Sequence, residues 1–326
     1  MSVVQKRLNY YRRIFGAYLT PSQSQLTFWH ERPAINTFDP ARLGPYYMTF
    51  AQKADYGGTY DRAGIPVLDY LGAIGPQYNP IAIAQYGLGN FNQYLRSREP
   101  GRRERFLKAA DWLGANLEEN PCGFPVWNHH FDFEYRTPLR APWYSGLAQG
   151  QGISLLVRAH GETGNSAYLD AATRAFGCMD ADVASGGVIF TDSAGHRWIE
   201  EYIVSPPTHI LNGFMWASWG VYDLALATED ARARKLWQDS LATLKANLHC
   251  YDTGYWSLYE QSGTRMKMMA SPFYHRLHVV QLRVMAKLSG DAFFAEFADR
   301  WERYQQSAVK RSRALVYKSV FKLCYY

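Results

Sequence analysis

The chain repeats a pair of helices with a period of about 65 residues, and this periodicity restricts its fold more than any other feature. The stretch 79–97 (NPIAIAQYGLGNFNQYLRS) has helical periodicity. It is followed by 103–120, whose Phe106, Ala109, Ala110 and Leu113 form one apolar stripe. Three further pairs follow: 144–164 with 166–179, 210–230 with 233–248, and 275–291 with 292–306. The first helices start near Ile81, Gly146, Leu211 and His275, at intervals of 65, 65 and 64 residues. They are nearly free of charge and rich in Ala, Gly, Ser and Gln, as helices crowded on every side must be. The second helices are amphipathic. Inner helices ringed by outer ones make a mostly α fold, an α/α toroid of the complete or incomplete (α/α)6 type. The expected organisation is an irregular region over 1–70 packed on a toroid over 71–326.

The connections are too long for hairpin turns. They run over 121–143, 183–210 and 250–274, and each joins an outer helix to the next inner one, so all three are expected at one end of the toroid. Two of them, GGVIFTDSAGHRWIEEY and TGYWSLYEQSGTRMKMM, read as β-hairpins. The first ends on Glu200, Glu201 and Tyr202, immediately before two prolines and an apolar helix. Solvated edge residues and packed tyrosines are the ordinary reading of such side chains. Their gathering on neighbouring loops of one rim favours a reaction site.

Composition narrows the partners. The chain of 326 residues is 47% apolar and 20% charged, the balance of a globular protein. Aromatics reach 16%, with 24 Tyr and 10 Trp, which suits either a large aromatic core or a sugar-binding cleft. A net charge of +6 and a pI near 9.0 favour an anionic partner, although much of the excess lies in 5–13 and 310–322. An acidic polysaccharide, nucleic acid or a membrane surface would each meet that charge.

Cys122, Cys178, Cys250 and Cys324 lie far apart without a CxxC pattern and are read as reduced, mostly buried thiols. With no signal-peptide pattern and no apolar run of ~18–20 residues, the protein is expected in the cytoplasm. The C-terminal ALVYKSVFKLCYY mixes aromatics with Lys; it reads as a packed end, with peripheral contact to a membrane surface as the alternative.

Several chemistries are missing. There is no P-loop, no dinucleotide fingerprint, no HExxH and no GxSxG elbow. His275 and His278 have no third ligand spaced to join them, so no metal is expected. What remains is carboxylate, tyrosine and basic chemistry. Paired carboxylates could hydrolyse glycosides, and Glu with Tyr could remove a proton beside a carboxylate.

Five stretches, YNPIAIAQYGLGNFNQYL, APWYSGLAQGQGISLLVRAH, RWIEEYIVSPPTHILNGFMWASWGVYDL, YDTGYWSLYE and SPFYHRLHVVQL, resemble, in order, the C-terminal domain of D-glucuronyl C5-epimerases. The resemblance covers about 78–307, and 28–70 is similar to the short bacterial relatives. It implies conversion of D-glucuronate to L-iduronate within a heparan sulfate-like or heparosan-like polysaccharide, without a cofactor. It implies catalytic roles for Glu201, Tyr259 and Tyr274. It implies substrate contacts from Tyr202, Asn212, Gln85, Tyr86, Tyr144, Ser145, Gln149, Gln151 and His275. Ser262 stands where the animal enzymes carry an arginine, and Arg265 is the candidate replacement. The animal relatives pair through this domain, which implies a homodimer.

Epimerisation at C5 takes a proton from one face of the sugar and returns one to the other, through a dianionic, enolate-like intermediate. The expectation is Tyr259 and Tyr274 on opposite faces of the sugar, with Glu201 tuning one of them. A polysaccharide lyase, which expels the C4 substituent from the same intermediate, and a non-catalytic polysaccharide binder are the alternatives.

Overall fold

The computed structural model describes residues 28–70, 74–135 and 137–325. The basic stretch 5–13 and the remainder of 1–27 lie outside the described residues, as does any reading of the N-terminus as a leader. The described chain is mostly helical, with four small antiparallel sheets of two or three strands. Its contacts group into two units: 34–244, and the described residues of 1–33 together with 245–325.

The first unit contains three helical pairs: α1 (Pro80–Ser97) with α2 (Pro100–Ala115), α3 (Gly146–Thr163) with α4 (Ser166–Met179), and α5 (Leu211–Thr228) with α6 (Ala231–Asn247), whose last turn crosses the unit boundary. Each of α1, α3 and α5 has 18 residues, and their starts agree with the sequence periodicity to within one residue. Local chemistry sets the starts. The Asn79 side chain accepts from the Ile81 and Ala82 N–H groups ahead of Pro80, and Ser145 accepts from Ala148 N–H. The α3 helix packs on both α1 and α5. At the α3–α5 contact the two backbones touch: a Cβ on Gly220 would stand 2.0 Å from the Gly150 carbonyl oxygen, so only glycine fits. Trp127, Trp219, Tyr46, Tyr47, Phe106, Phe176 and Phe214 fill the core around these helices.

That core holds a buried ion pair that was not anticipated in helices read as nearly uncharged. Arg158 on α3 meets Asp223 on α5 through two bonds, at 2.6 and 3.1 Å. Asp223 also accepts from Tyr47 (2.5 Å) and Ser154 (2.6 Å), and Arg158 donates to the Gly44 carbonyl (2.9 Å). The network ties the segment 44–47 to both helices.

Three short sheets lie before α1 and between α2 and α3 in this unit. The strands β1 (Thr59–Tyr60), β2 (Pro66–Asp69) and β3 (Pro76–Gln77) form one sheet; β4 (Glu118–Glu119) pairs with β5 (Pro125–Val126), and β6 (Asn128–His129) with β7 (Trp143–Tyr144). The expected hairpin after α4 is present as β8 (Ile189–Thr191) and β9 (Arg197–Ile199), with Phe190 opposite Trp198. The connections 116–145 and 180–210 pack on one another, through Asn120 Nδ2 and Tyr144 Oη donating to the Gly186 carbonyl, each at 2.8 Å.

The second unit contains α7 (Pro272–Ser289), α8 (Ala292–Gln306) and α9 (Ala308–Tyr325). The α7 helix begins three residues before His275, because Ser271 caps it and Pro272 occupies its first turn. It packs on α8, and α8 on α9, around Trp256, Trp301, Tyr251, Phe294 and Phe321. The second expected hairpin is a correction. Residues 253–269 form a loop closed only by isolated bridges, Asp252 with Ser257 and Leu258 with Met269. Its Trp256 side chain is buried and donates to the Ala270 carbonyl (2.9 Å), which pulls the loop out of strand alternation.

The cysteines also differ from expectation. All four are free thiols, but only Cys178 is buried; Cys122 lies on a loop, Cys250 in a short 3-10 helix (Leu248–Tyr251) and Cys324 exposed on α9. Among the described residues no helix is long and apolar enough to cross a bilayer.

Candidate active site

The β9 strand delivers Glu200 and Glu201 side by side, and the fold separates their fates. The Glu200 backbone is held at both ends, its N–H donating to the Val188 carbonyl and its carbonyl accepting from Gly146 N–H, each at 2.9 Å. Its carboxylate accepts from the His209 backbone N–H (3.1 Å) and pairs with the His209 ring, which stacks on Trp198 at 4.3 Å. Glu200 is therefore an anchor, and this partnership left no mark in the sequence, since His209 takes a left-handed backbone (φ 48°) just beyond the two prolines.

Glu201 has the opposite environment. It is 5% exposed, and its Oε2 has no hydrogen-bond partner within the protein. Burial pushes its pKa up from the usual carboxylate value to about 8; a hydrogen bond with Tyr202 opposes this and the Glu200 charge adds to it. A carboxyl that titrates there can both take and give a proton near neutral pH. Its place depends on Gly213 in the first turn of α5, where an added Cβ would stand 2.1 Å from Glu201 Oε2 and 2.8 Å from Glu201 Cβ. Gly213→Ala is therefore expected to displace the carboxyl, lowering turnover at least tenfold while changing the urea midpoint little; parallel activity and unfolding measurements check this.

Around Glu201 the unit presents aromatic surface. Tyr202 meets Tyr135, Phe133 and Trp143 at 4.8, 5.8 and 5.8 Å between ring centroids. His129 stacks on Trp143 at 3.8 Å, and burial lowers its pKa to about 3, so it stays neutral. Asn212 is buried next to Gly213. Sequence reasoning named Tyr202 and Asn212 but missed the aromatic group from 131–143, although the stretch FDFEY carried the signal.

The other named residues of this unit hold the scaffold. Ser145 is spent on capping α3. Gln149 accepts from Trp127 N–H (3.2 Å) and donates to its carbonyl (3.4 Å). Gln85 Nε2 donates to Gln151 Oε1 (2.9 Å), linking α1 to α3. The Tyr144 hydroxyl is committed to Gly186. Tyr86 lies against Tyr60, 5.8 Å away, and burial raises its pKa.

In the second unit Tyr259 and Tyr274 come together, ring centroids 4.8 Å apart at 65°. Tyr259 is fixed by its N–H to the Met268 carbonyl (2.7 Å) and Tyr274 by the Ser271 cap. The two rings are in edge-to-face contact, which leaves no room for a sugar between the rings themselves. His275 is a correction. Its Nδ1 accepts from Ser257 N–H (3.1 Å), its Nε2 donates to the Trp301 carbonyl (2.9 Å), and it stacks on Trp256 at 3.9 Å. Neither nitrogen is left for a substrate, and burial takes its pKa to about 3. Arg265 is exposed, while Ser262 is buried and bonds Thr264 (3.1 Å). Among the described residues no group of three or more His, Cys, Asp or Glu is arranged to hold a metal.

The model of the D-glucuronyl C5-epimerase C-terminus matches residues 123–303, more than half of the chain. The chain belongs to the D-glucuronyl C5-epimerase C-terminal family. A D-glucuronyl C5-epimerase of Caenorhabditis elegans is 30% identical over 227 residues, covering 65% of this chain and 36% of the nematode protein. The chain thus spans about a third of that relative. An uncharacterized protein of Methanocaldococcus jannaschii is 26% identical over 309 residues, covering 88% of this chain and 93% of its own. A solved polysaccharide lyase aligns with 91% of this chain and 45% of its own at 12% identity and a TM-score of 0.39, too slight a likeness to carry an argument. Within this epimerase family member the matched segment contains Glu201, Tyr202, Asn212, Tyr259, Arg265 and Tyr274; Gln85 and Tyr86 lie outside it.

Proposed function

We propose that this protein is a C5-epimerase that converts D-glucuronate to L-iduronate within an acidic polysaccharide of the heparosan type. The observation that carries the reading is Glu201, just after β9 and inside the family match, a buried carboxyl whose pKa is pushed up to about 8 and whose Oε2 has no hydrogen-bond partner within the protein. The proton at C5 is α to a carboxylate and very weakly acidic. A base of ordinary carboxylate strength removes it poorly, and one with a pKa near 8 does so with a smaller thermodynamic penalty. Glu201 takes the proton in the glucuronate-to-iduronate direction. Tyr259 and Tyr274 act as one unit, supplying the proton that returns. Tyr202 holds the Glu201 carboxyl, and Tyr135, Phe133 and Trp143 support Tyr202 from behind. Asn212 is assigned to the substrate carboxylate. The protein's own groups account for the reaction, which involves no net redox change. The helical pairs are read as arcs of an α/α toroid, a reading supported by three first helices of equal length at near-constant spacing.

Heparosan incubated with the protein should develop iduronate signals in the proton NMR spectrum without any gain in ultraviolet absorbance. An unsaturated, absorbing uronate with no iduronate would make the protein a lyase instead. Tyr259→Phe and Tyr274→Phe are each expected to lower turnover by roughly 10²–10⁴, read in the same assay. Unchanged turnover in both variants would remove the tyrosines from the mechanism.

A further inference from the structure

The last helix turns an aliphatic face to solvent, with the exposed Arg313 on the same side. On α9, Val309, Val316, Val320 and Leu323 are 79, 63, 43 and 71% exposed. They recur at i, i+7, i+11 and i+14, which places them on one helical face. The opposite face is buried through Ala314, Leu315 and Phe321. Four of the cations of α9 also make contacts within the unit. Lys310 donates to the Gly254 carbonyl (3.1 Å), Arg311 to Gln305 (2.7 Å), and Lys318 to Met269 (2.5 Å), while Arg313 lies over the Tyr255 ring at 4.0 Å. The helix sequence AVKRSRALVYKSVFKLCY contains five Lys or Arg and no Asp or Glu.

Charge follows the same division. The segment 245–326 has thirteen Lys and Arg against six Asp and Glu, whereas 34–244 has seventeen against twenty-two. The positive excess of the chain is thus concentrated outside the unit that contains Glu201 and in the unit that bears the aliphatic face. A second copy of the chain is a poor match for this surface. Pairing would bring two positive segments together, and four aliphatic side chains fall short of the roughly 800 Å² per partner of a stable protein interface. An anionic bilayer matches both properties, since short aliphatic side chains enter the headgroup boundary while the exposed Arg313 on the same face, backed by the positive segment, meets lipid phosphates.

We propose that α9 docks on an anionic membrane surface through Val309, Val316, Val320 and Leu323, lying in the interface without crossing it. The site keeps the enzyme at the membrane and takes no part in the chemistry.

The test is co-sedimentation of the full chain with vesicles of phosphatidylcholine alone, and of phosphatidylcholine with about a third phosphatidylglycerol. Binding should be confined to the anionic vesicles and should weaken as salt is raised. The variant Val316→Ser, Val320→Ser, Leu323→Ser should bind those vesicles at least tenfold more weakly. Because the three side chains are exposed, the variant should keep its circular dichroism and its activity on soluble polysaccharide. Three results would overturn the proposal. One is no binding to anionic vesicles. A second is binding that the variant leaves unchanged, which would assign the surface to polyanions in general, soluble polysaccharide included. The third is a concentration-dependent dimer in sedimentation velocity that the variant dissociates, which would give the face to a second copy.

Discussion

Glu201→Gln is expected to abolish iduronate formation, lowering turnover by at least 10²–10⁴, while making the protein more resistant to unfolding at alkaline pH. Both effects come from the same environment. The carboxyl titrates near 8 in the folded chain because burial opposes its charge, against an ordinary value of 4.5 when unfolded. Between those two values the folded state binds the proton more firmly, so stability falls as pH rises from 4.5 to 8 and the full loss is present above 8. Glutamine is neutral throughout and has nearly the same shape. The variant should therefore match the wild type near pH 4.5 and exceed it near pH 9, by up to a few kcal/mol. Urea unfolding at the two pH values checks this. The wild-type kcat/KM should rise with pH and level off above an apparent pKa near 8, as it does when the base must be ionised. A Glu201→Gln variant that kept its turnover would leave the carboxyl a role in packing only.

The second large effect falls on stability. Asp223→Ala removes four hydrogen bonds at once, two from Arg158 and one each from Tyr47 and Ser154, and leaves a buried guanidinium without its carboxylate. Arg158 is 2% exposed and cannot turn to water in place. Breaking a buried pair in this way costs on the order of 3–5 kcal/mol. The midpoint of urea unfolding should fall accordingly. Asp223→Asn, which keeps the acceptor oxygen, should lose less. Removing both charges with Arg158→Met and Asp223→Ala should recover part of the loss, because no unpaired ion remains. A loss below about 1 kcal/mol for Asp223→Ala would show that water reaches the pair.

Much of this architecture was legible in residue spacing. The first helices announce themselves because small and apolar residues fill every side, and their starts are set by local caps that a reader can find, as at Asn79 and Ser145. The α7 helix starts three residues ahead of His275, because Ser271 caps it and Pro272 opens its first turn. The Arg158–Asp223 pair was not legible. Two single charges on helices 65 residues apart give no hint that they meet, and only the glycine contact at Gly150 and Gly220 brings those helices close enough. The reaction residues were partly legible. The EEY stretch pointed to Glu201, yet nothing in it says which glutamate is held by His209 and which is left open. That difference arises from Gly213 and from the turn at His209, both distant in character from acid–base chemistry. His275 illustrates the converse. A histidine beside a tyrosine looks like a ligand for substrate, and its actual work is to join Ser257 to Trp301 in the core.

The most direct test of the central claim is solvent exchange at C5. Heparosan is incubated with the protein in D2O, and the C5–H signal is followed by NMR alongside the iduronate anomeric signals. The account predicts that deuterium enters C5 as iduronate appears, and that Glu201→Gln suppresses both together. If the C5 proton stays in place on heparosan under conditions where the protein is folded, or leaves only as an unsaturated product forms, epimerisation of this polymer is contradicted.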